Sequence, residues 1–145
     1  MLHALELAKE DLERWCADLS DVQLNAGPSG LAAVAFHVRH IARSLDRLLT
    51  YAERRQLNDE QLAALKAELN PGATREELFR ELHLALEESA KRVRAFDPVT
   101  YGEQRFVGKK RLPTTLAGLL VHVADHTQRH VGQAITTAKL VRNLL

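Results

Sequence analysis

The chain of 145 residues carries 20 Lys+Arg against 19 Asp+Glu, a formal net charge of +1, and one cysteine. That length fits one domain over 1–145, able to bury roughly 70% of the surface its unfolded form would expose. The balanced charge argues against bulk attraction to nucleic acid or an anionic membrane, and a lone cysteine excludes an internal disulfide and fits a reducing compartment.

Leu2, Leu5, Ala8, Leu12, Trp15 and Leu19 recur at steps of three and four, which predicts an amphipathic helix over about 2–19 with Cys16 as a small core residue. The apolar start Met1-Leu2-His3-Ala4-Leu5 meets Glu6, Lys9, Glu10 and Asp11 at once, so neither a leader peptide nor a membrane span is expected. The expected location is the cytoplasm. Asn25, Gly27, Pro28 and Gly30 then break the pattern, with Ser29 a candidate N-cap. The stripe Val34, Val38, Ile41, Leu45, Leu48, Ala52 predicts a helix of about 27 residues.

Asn58 or Asp59 can cap a short helix through Leu62, Ala63 and Leu65, ended by Asn70-Pro71-Gly72. Thr74 and Glu77 form a capping box that opens a helix through Leu78, Leu82, Ala85, Leu86, Ala90 and Val93, stopped by Asp97-Pro98. From Val99 to Leu112 the chain is basic and without period, and no strand pair is expected there. Pro113, Thr114 and Thr115 should open a last helix through Leu116, Leu119, Leu120, Val123, Ile135, Ala138 and Val141. Four long helices amount to an all-α bundle.

In His122-Val123-Ala124-Asp125-His126-Thr127-Gln128-Arg129-His130, the imidazoles of His126 and His130 stand four apart and share a helical face, so both can reach one metal ion. Catalytic centres of this kind usually take three protein donors and keep a position open. The third donor must come from elsewhere, and the other histidine cluster is His37-Val38-Arg39-His40. Spacing alone leaves His37 and His40 both open, with His37 closer to the apolar seam. His122 extends the row, but each step of four turns about 40° further, so it is expected as a neighbour lining the cavity. The polar row Ala33, His37, His40, Ser44 and Arg47 would line that cavity, and Arg47 with Tyr51 could hold an anionic thiol. Gln133 could face the cavity or cap a loop, and Asp125 should face solvent. His83 reads as a packing residue with one satisfied nitrogen, His3 as solvated. The basic pairs and triplets, Arg54-Arg55 and Lys109-Lys110-Arg111, read as solvated faces.

Two stretches carry a family resemblance. Phe36-His37-Val38-Arg39-His40-Ile41-Ala42-Arg43-Ser44 and Leu120 to Gln133, with its two histidines four apart before Gly132-Gln133, resemble the second and final helices of the DinB-like superfamily, small helical-bundle metalloproteins that include a bacillithiol transferase-like branch. The resemblance implies metal ligands at His40, His126 and His130, a four-helix bundle of up-down-down-up connectivity, a divalent ion such as nickel or zinc, and a homodimer. The expected function is metal-dependent transfer of a small thiol to an electrophile. The alternatives are a hydrolase of the same fold, or a non-enzymatic dimerising bundle with a structural metal. No catalytic group beyond the ligands is expected, since the sequence has no nucleophile elbow, phosphate loop or paired catalytic carboxylates.

Overall fold

A computed structural model describes residues 1–144. Six helices and a short hairpin follow one another: α1 (Leu2–Cys16), α2 (Asp21–Asn25), α3 (Val34–Ala52), α4 (Asp59–Lys66), α5 (Arg75–Arg94), β1 (Gln104–Val107), β2 (Leu112–Thr115) and α6 (Leu116–Leu144). The first helix stops earlier than its apolar stripe suggests because a second helix begins at once. Ser20 Oγ accepts from Gln23 N at 3.2 Å, and Gln23 Oε1 accepts from Ser20 N at 3.1 Å, a reciprocal cap that starts α2. Ser29 is not the cap of α3. It sits at φ 52° in a 3-10 turn over Pro28–Gly30, and the chain then runs extended to Ala33, which caps α3 without a side-chain bond.

The α3 helix has 19 residues, fewer than predicted, because it ends in a Schellman closure. Arg54 takes φ 62°, its N–H donates to Tyr51 O, and Arg55 N–H donates to Thr50 O. Side-chain caps at Asn58 and Thr74 open α4 and α5 where the sequence places them.

The hairpin is a correction to the expectation of no strand pair. Arg105 pairs with Thr114 and Phe106 with Pro113 in antiparallel register, around a turn where Gly108 (φ 71°) and Arg111 (φ 49°) are left-handed. Strands of four residues are too short for alternation to show, and Pro113 is tolerated because a two-stranded ribbon leaves every outer edge unpaired. Pro113 therefore belongs to β2, and α6 opens at Leu116.

Contacts between the four long helices give their directions. Arg43 meets Glu81 and Asp46 meets Arg92, so α3 and α5 run parallel. Gln128 reaches Ala4 and Arg142 reaches Asp18, so α1 and α6 are parallel too. His37 faces His130 and His40 faces His126, which makes α3 antiparallel to α6. The connectivity is up-down-down-up. Leu12, Leu24, Val38, Ile41, Leu45, Leu82, Ala134 and Ala138 are fully buried in the main core, together with Cys16. A second cluster under the hairpin holds Leu49, Tyr51, Ala52, Val93, Leu116, Leu119 and Leu120. Among the described residues no helix is long and apolar enough to cross a membrane.

Candidate metal centre

The antiparallel contact of α3 and α6 brings two rows of histidines face to face. His40 Nε2 lies 2.9 Å from His126 Nε2, and His37 Nδ1 lies 3.0 Å from His130 Nδ1. His40, His126 and His130 each offer a ring nitrogen within 4.8 Å of the others, the one such group of three or more among the described residues. Phe36 stacks on the His40 ring at 5.4 Å and meets the edge of His37, forming an apolar wall.

The structure adds a partner that the sequence reading missed. Glu68, just past α4 and 4% exposed, accepts at Oε2 from His40 Nδ1 at 2.6 Å, while its Oε1 accepts from Arg47 Nη1 at 2.5 Å. Arg39 Nη1 donates to the carbonyls of Ala67, Glu68 and Asn70, at 3.4, 3.3 and 2.6 Å, and so holds the turn that carries the carboxylate. A carboxylate on Nδ1 selects the tautomer whose Nε2 lone pair is free, the form a metal ligand needs. One signal was available: Arg39 and Arg47 lie on the inner side of α3, and buried guanidinium groups require acceptors. Which residue would supply them was not legible, because Glu68 lies in an aperiodic connection.

Burial and the neighbouring His40 push the His37, His126 and His130 imidazoles down to about 4. All three are therefore neutral at pH 7, with lone pairs available for a cation. Burial works against ionisation of Glu68, but hydrogen bonds from His40 and Arg47 outweigh it and hold the carboxyl below its usual range. The neutral imidazoles of His126 and His130, together with the His40 ring already oriented by a carboxylate, form a donor set of borderline softness that fits a divalent transition ion.

The depressed imidazoles give a pH expectation. Their folded values lie below the ordinary 6.5, so the unfolded chain binds more protons between about 6.5 and 4. Stability in urea, measured with chelator present, should be level above that window and fall as pH drops through it, His37 alone accounting for up to about 3 kcal/mol. A flat profile from pH 7 to 4.5 would show that these rings are not desolvated.

The remaining candidates separate. Arg47 reaches the centre through Glu68. Ser44 does not: its hydroxyl donates to Ile41 O on its own helix, the usual local satisfaction of a mid-helix serine. Tyr51 is also misplaced by the row argument, since it packs into the apolar cluster under the hairpin. His122 is exposed and stacks beside His126 at 5.7 Å. Gln133 is exposed and lines a cavity of about 350 Å³ with His37, Arg129, Thr136 and Thr137. Asp125 faces solvent and pairs with Arg129 at 2.6 Å, and His3 is exposed. His83 Nε2 approaches Glu13 Oε1 at 3.0 Å without the alignment of a hydrogen bond, so its nitrogen is not satisfied as expected.

The sequence profile of the DinB superfamily matches residues 4–134. The chain belongs to the DinB superfamily. Solved structures that share this fold include one from Enterococcus faecalis and one from Bacillus subtilis. A conserved protein from Enterococcus faecalis superposes with a TM-score of 0.80 at 21% identity, covering 98% of this chain and 95% of that one. YfiT from Bacillus subtilis, described as a probable metal-dependent hydrolase with an unusual four-helix bundle topology, gives 0.74 at 16% identity, over 95% of this chain and 83% of YfiT. No curated protein matches the sequence.

Proposed function

We propose that this DinB protein is a metal-dependent thiol transferase in which His40, His126 and His130 hold nickel or zinc. The observation that carries the reading is the commitment of the one carboxylate hydrogen-bonded to the triad among the described residues: Glu68 is engaged by His40 and Arg47. A water nucleophile calls for a free general base, whereas a thiol, with an ordinary value near 8.5, needs little help to ionise. When bound, a divalent ion supplies Lewis acidity that favours the thiolate form of a substrate sulfur at neutral pH.

The chain's own groups then position the reactants. Glu68 keeps His40 in one tautomer and His37 braces His130, so the donors are set before substrate arrives. Phe36 shields that side of the centre from water, and the cavity beside His37 has room for a small organic thiol or electrophile. In the transfer the thiol proton leaves to solvent, a sulfur–carbon bond forms, and the leaving group departs with its bonding electron pair or an epoxide opens to an alkoxide that takes a proton from solvent.

A hydrolase is the second reading, favoured by the likeness to YfiT. Metal-loaded protein incubated with a panel of small thiols and a bimane electrophile, and separately with nitrophenyl esters, distinguishes the two. Thiol conjugation that requires metal and disappears in His130→Ala is the expected result. Ester cleavage indifferent to thiol would move the assignment to the hydrolase, and conjugation unaffected by His130→Ala would remove the mechanism.

A further inference from the structure

The two basic stretches that read as solvated faces in the sequence meet in the fold. Arg54 and Arg55 follow the end of α3, Arg105 and Phe106 lie on β1, and Arg111 closes the hairpin turn; with Gln56 they line one cavity of about 380 Å³. We propose that this cavity is a second binding site, built for the phosphate or diphosphate group of a small molecule.

Four arginines line the cavity and no acidic residue does. The carboxylates nearby are Glu53, shared between Arg55 and Arg92, and Glu103, shared between Arg54 and Arg105. Among the described residues, Lys109, Lys110 and Arg111 have no carboxylate partner within ion-pair distance, so positive charge is in excess at the hairpin end.

Arg105 is the fixed element of the site. Only 5% exposed, it donates from Nε to Ala52 O at 2.6 Å and from Nη1 to Glu103 Oε2 at 3.3 Å and Gln104 O at 3.0 Å. Its Nη2 has no acceptor among the described residues and is not sealed from solvent. A guanidinium anchored at Nε and Nη1, with Nη2 still free to donate, is preorganised for an anion. The guanidinium carbon of Arg111 lies over the Phe106 ring, 4.5 Å from its centroid, a contact that orders the side chain without neutralising it.

Backbone geometry supports the same reading. Of the three non-glycine residues with positive φ among those described, Arg54 and Arg111 both line this cavity. Each holds a left-handed conformation that glycine would adopt at lower cost, and in exchange each places a guanidinium at the cavity wall. The end of α3 lies roughly 18 Å of helix beyond His40, so the cavity is separate from the histidine centre. Its volume suits a small molecule, and a net charge of +1 does not supply the extended basic track that a nucleic acid needs.

The test is calorimetric titration of the full chain with sodium pyrophosphate at near-physiological ionic strength. Saturable one-to-one binding with Kd below about 1 mM is expected. Arg111→Gln and Arg55→Gln, both at solvent-accessible positions, should each weaken it about tenfold or more, the effect of losing one charge-assisted contact. Lys91→Gln on the surface of α5 and His126→Ala at the histidine centre should leave it unchanged. Any of four results overturns the proposal: no saturable heat up to about 10 mM; an equal loss in Lys91→Gln, which would mean unspecific screening; loss in His126→Ala, which would place the anion at the histidines; or binding of a single-stranded oligonucleotide where pyrophosphate fails.

Discussion

Replacing His126 by alanine should abolish metal uptake. Elemental analysis of untagged protein should fall from about one nickel or zinc per chain to near zero, because two imidazoles on different helices hold a divalent ion far less well than three. The rise in Tm on adding either metal to the apo wild type should vanish in step, since that rise reports differential binding to the folded state. His122→Ala, on the exposed ring stacked beside His126, is the matched control and should keep full uptake. Equal losses in both variants would mean that the triad is wrongly drawn.

Glu68 should prove the most sensitive position outside the histidines. Glu68→Ala strands the Arg47 guanidinium, 11% exposed, without its partner, and breaking a buried pair from one side costs about 3–5 kcal/mol. Urea unfolding should show that loss. Glu68→Gln keeps the shape and an acceptor for Arg47 but removes the charge that fixes the His40 tautomer. It should fold, and its metal affinity should drop about 10–100-fold, the range seen when the hydrogen-bonding partner of a ligating imidazole is changed. Unaltered affinity in Glu68→Gln would show that His40 needs no help in orientation.

The parts of this molecule that could be read from sequence are those governed by local periodicity. The stripe from Val34 to Ala52, the Thr74–Glu77 box and the four-residue step from His126 to His130 are short-range features, and each has its counterpart in the structure. His40 and His37 were indistinguishable by spacing; in the fold His40 joins the close group of three donors, while His37 braces His130 from behind. What was not legible depends on contacts between distant segments. The hairpin is defined by pairing between strands of four residues, one containing proline. Tyr51 belongs to a face of α3 covered by that unforeseen hairpin, hence its burial among leucines instead of beside the histidines. Ser44 satisfied its hydroxyl on its own backbone, an option open to any helical serine. Arg54-Arg55 and Arg105 to Arg111 are each unremarkable alone; only the Schellman turn and the hairpin together bring them to one cavity.

The parallel run of α3 and α5 has a mechanical consequence. Residues 53–74 must return along the length of the bundle before α5 can begin, and this return strap, clipped down by Arg39, is what delivers Glu68 to His40. Imidazole alignment thus depends on a segment outside the four long rods. The strap's anchorage by Arg39 would therefore bear directly on how firmly a cation at the three histidines was gripped.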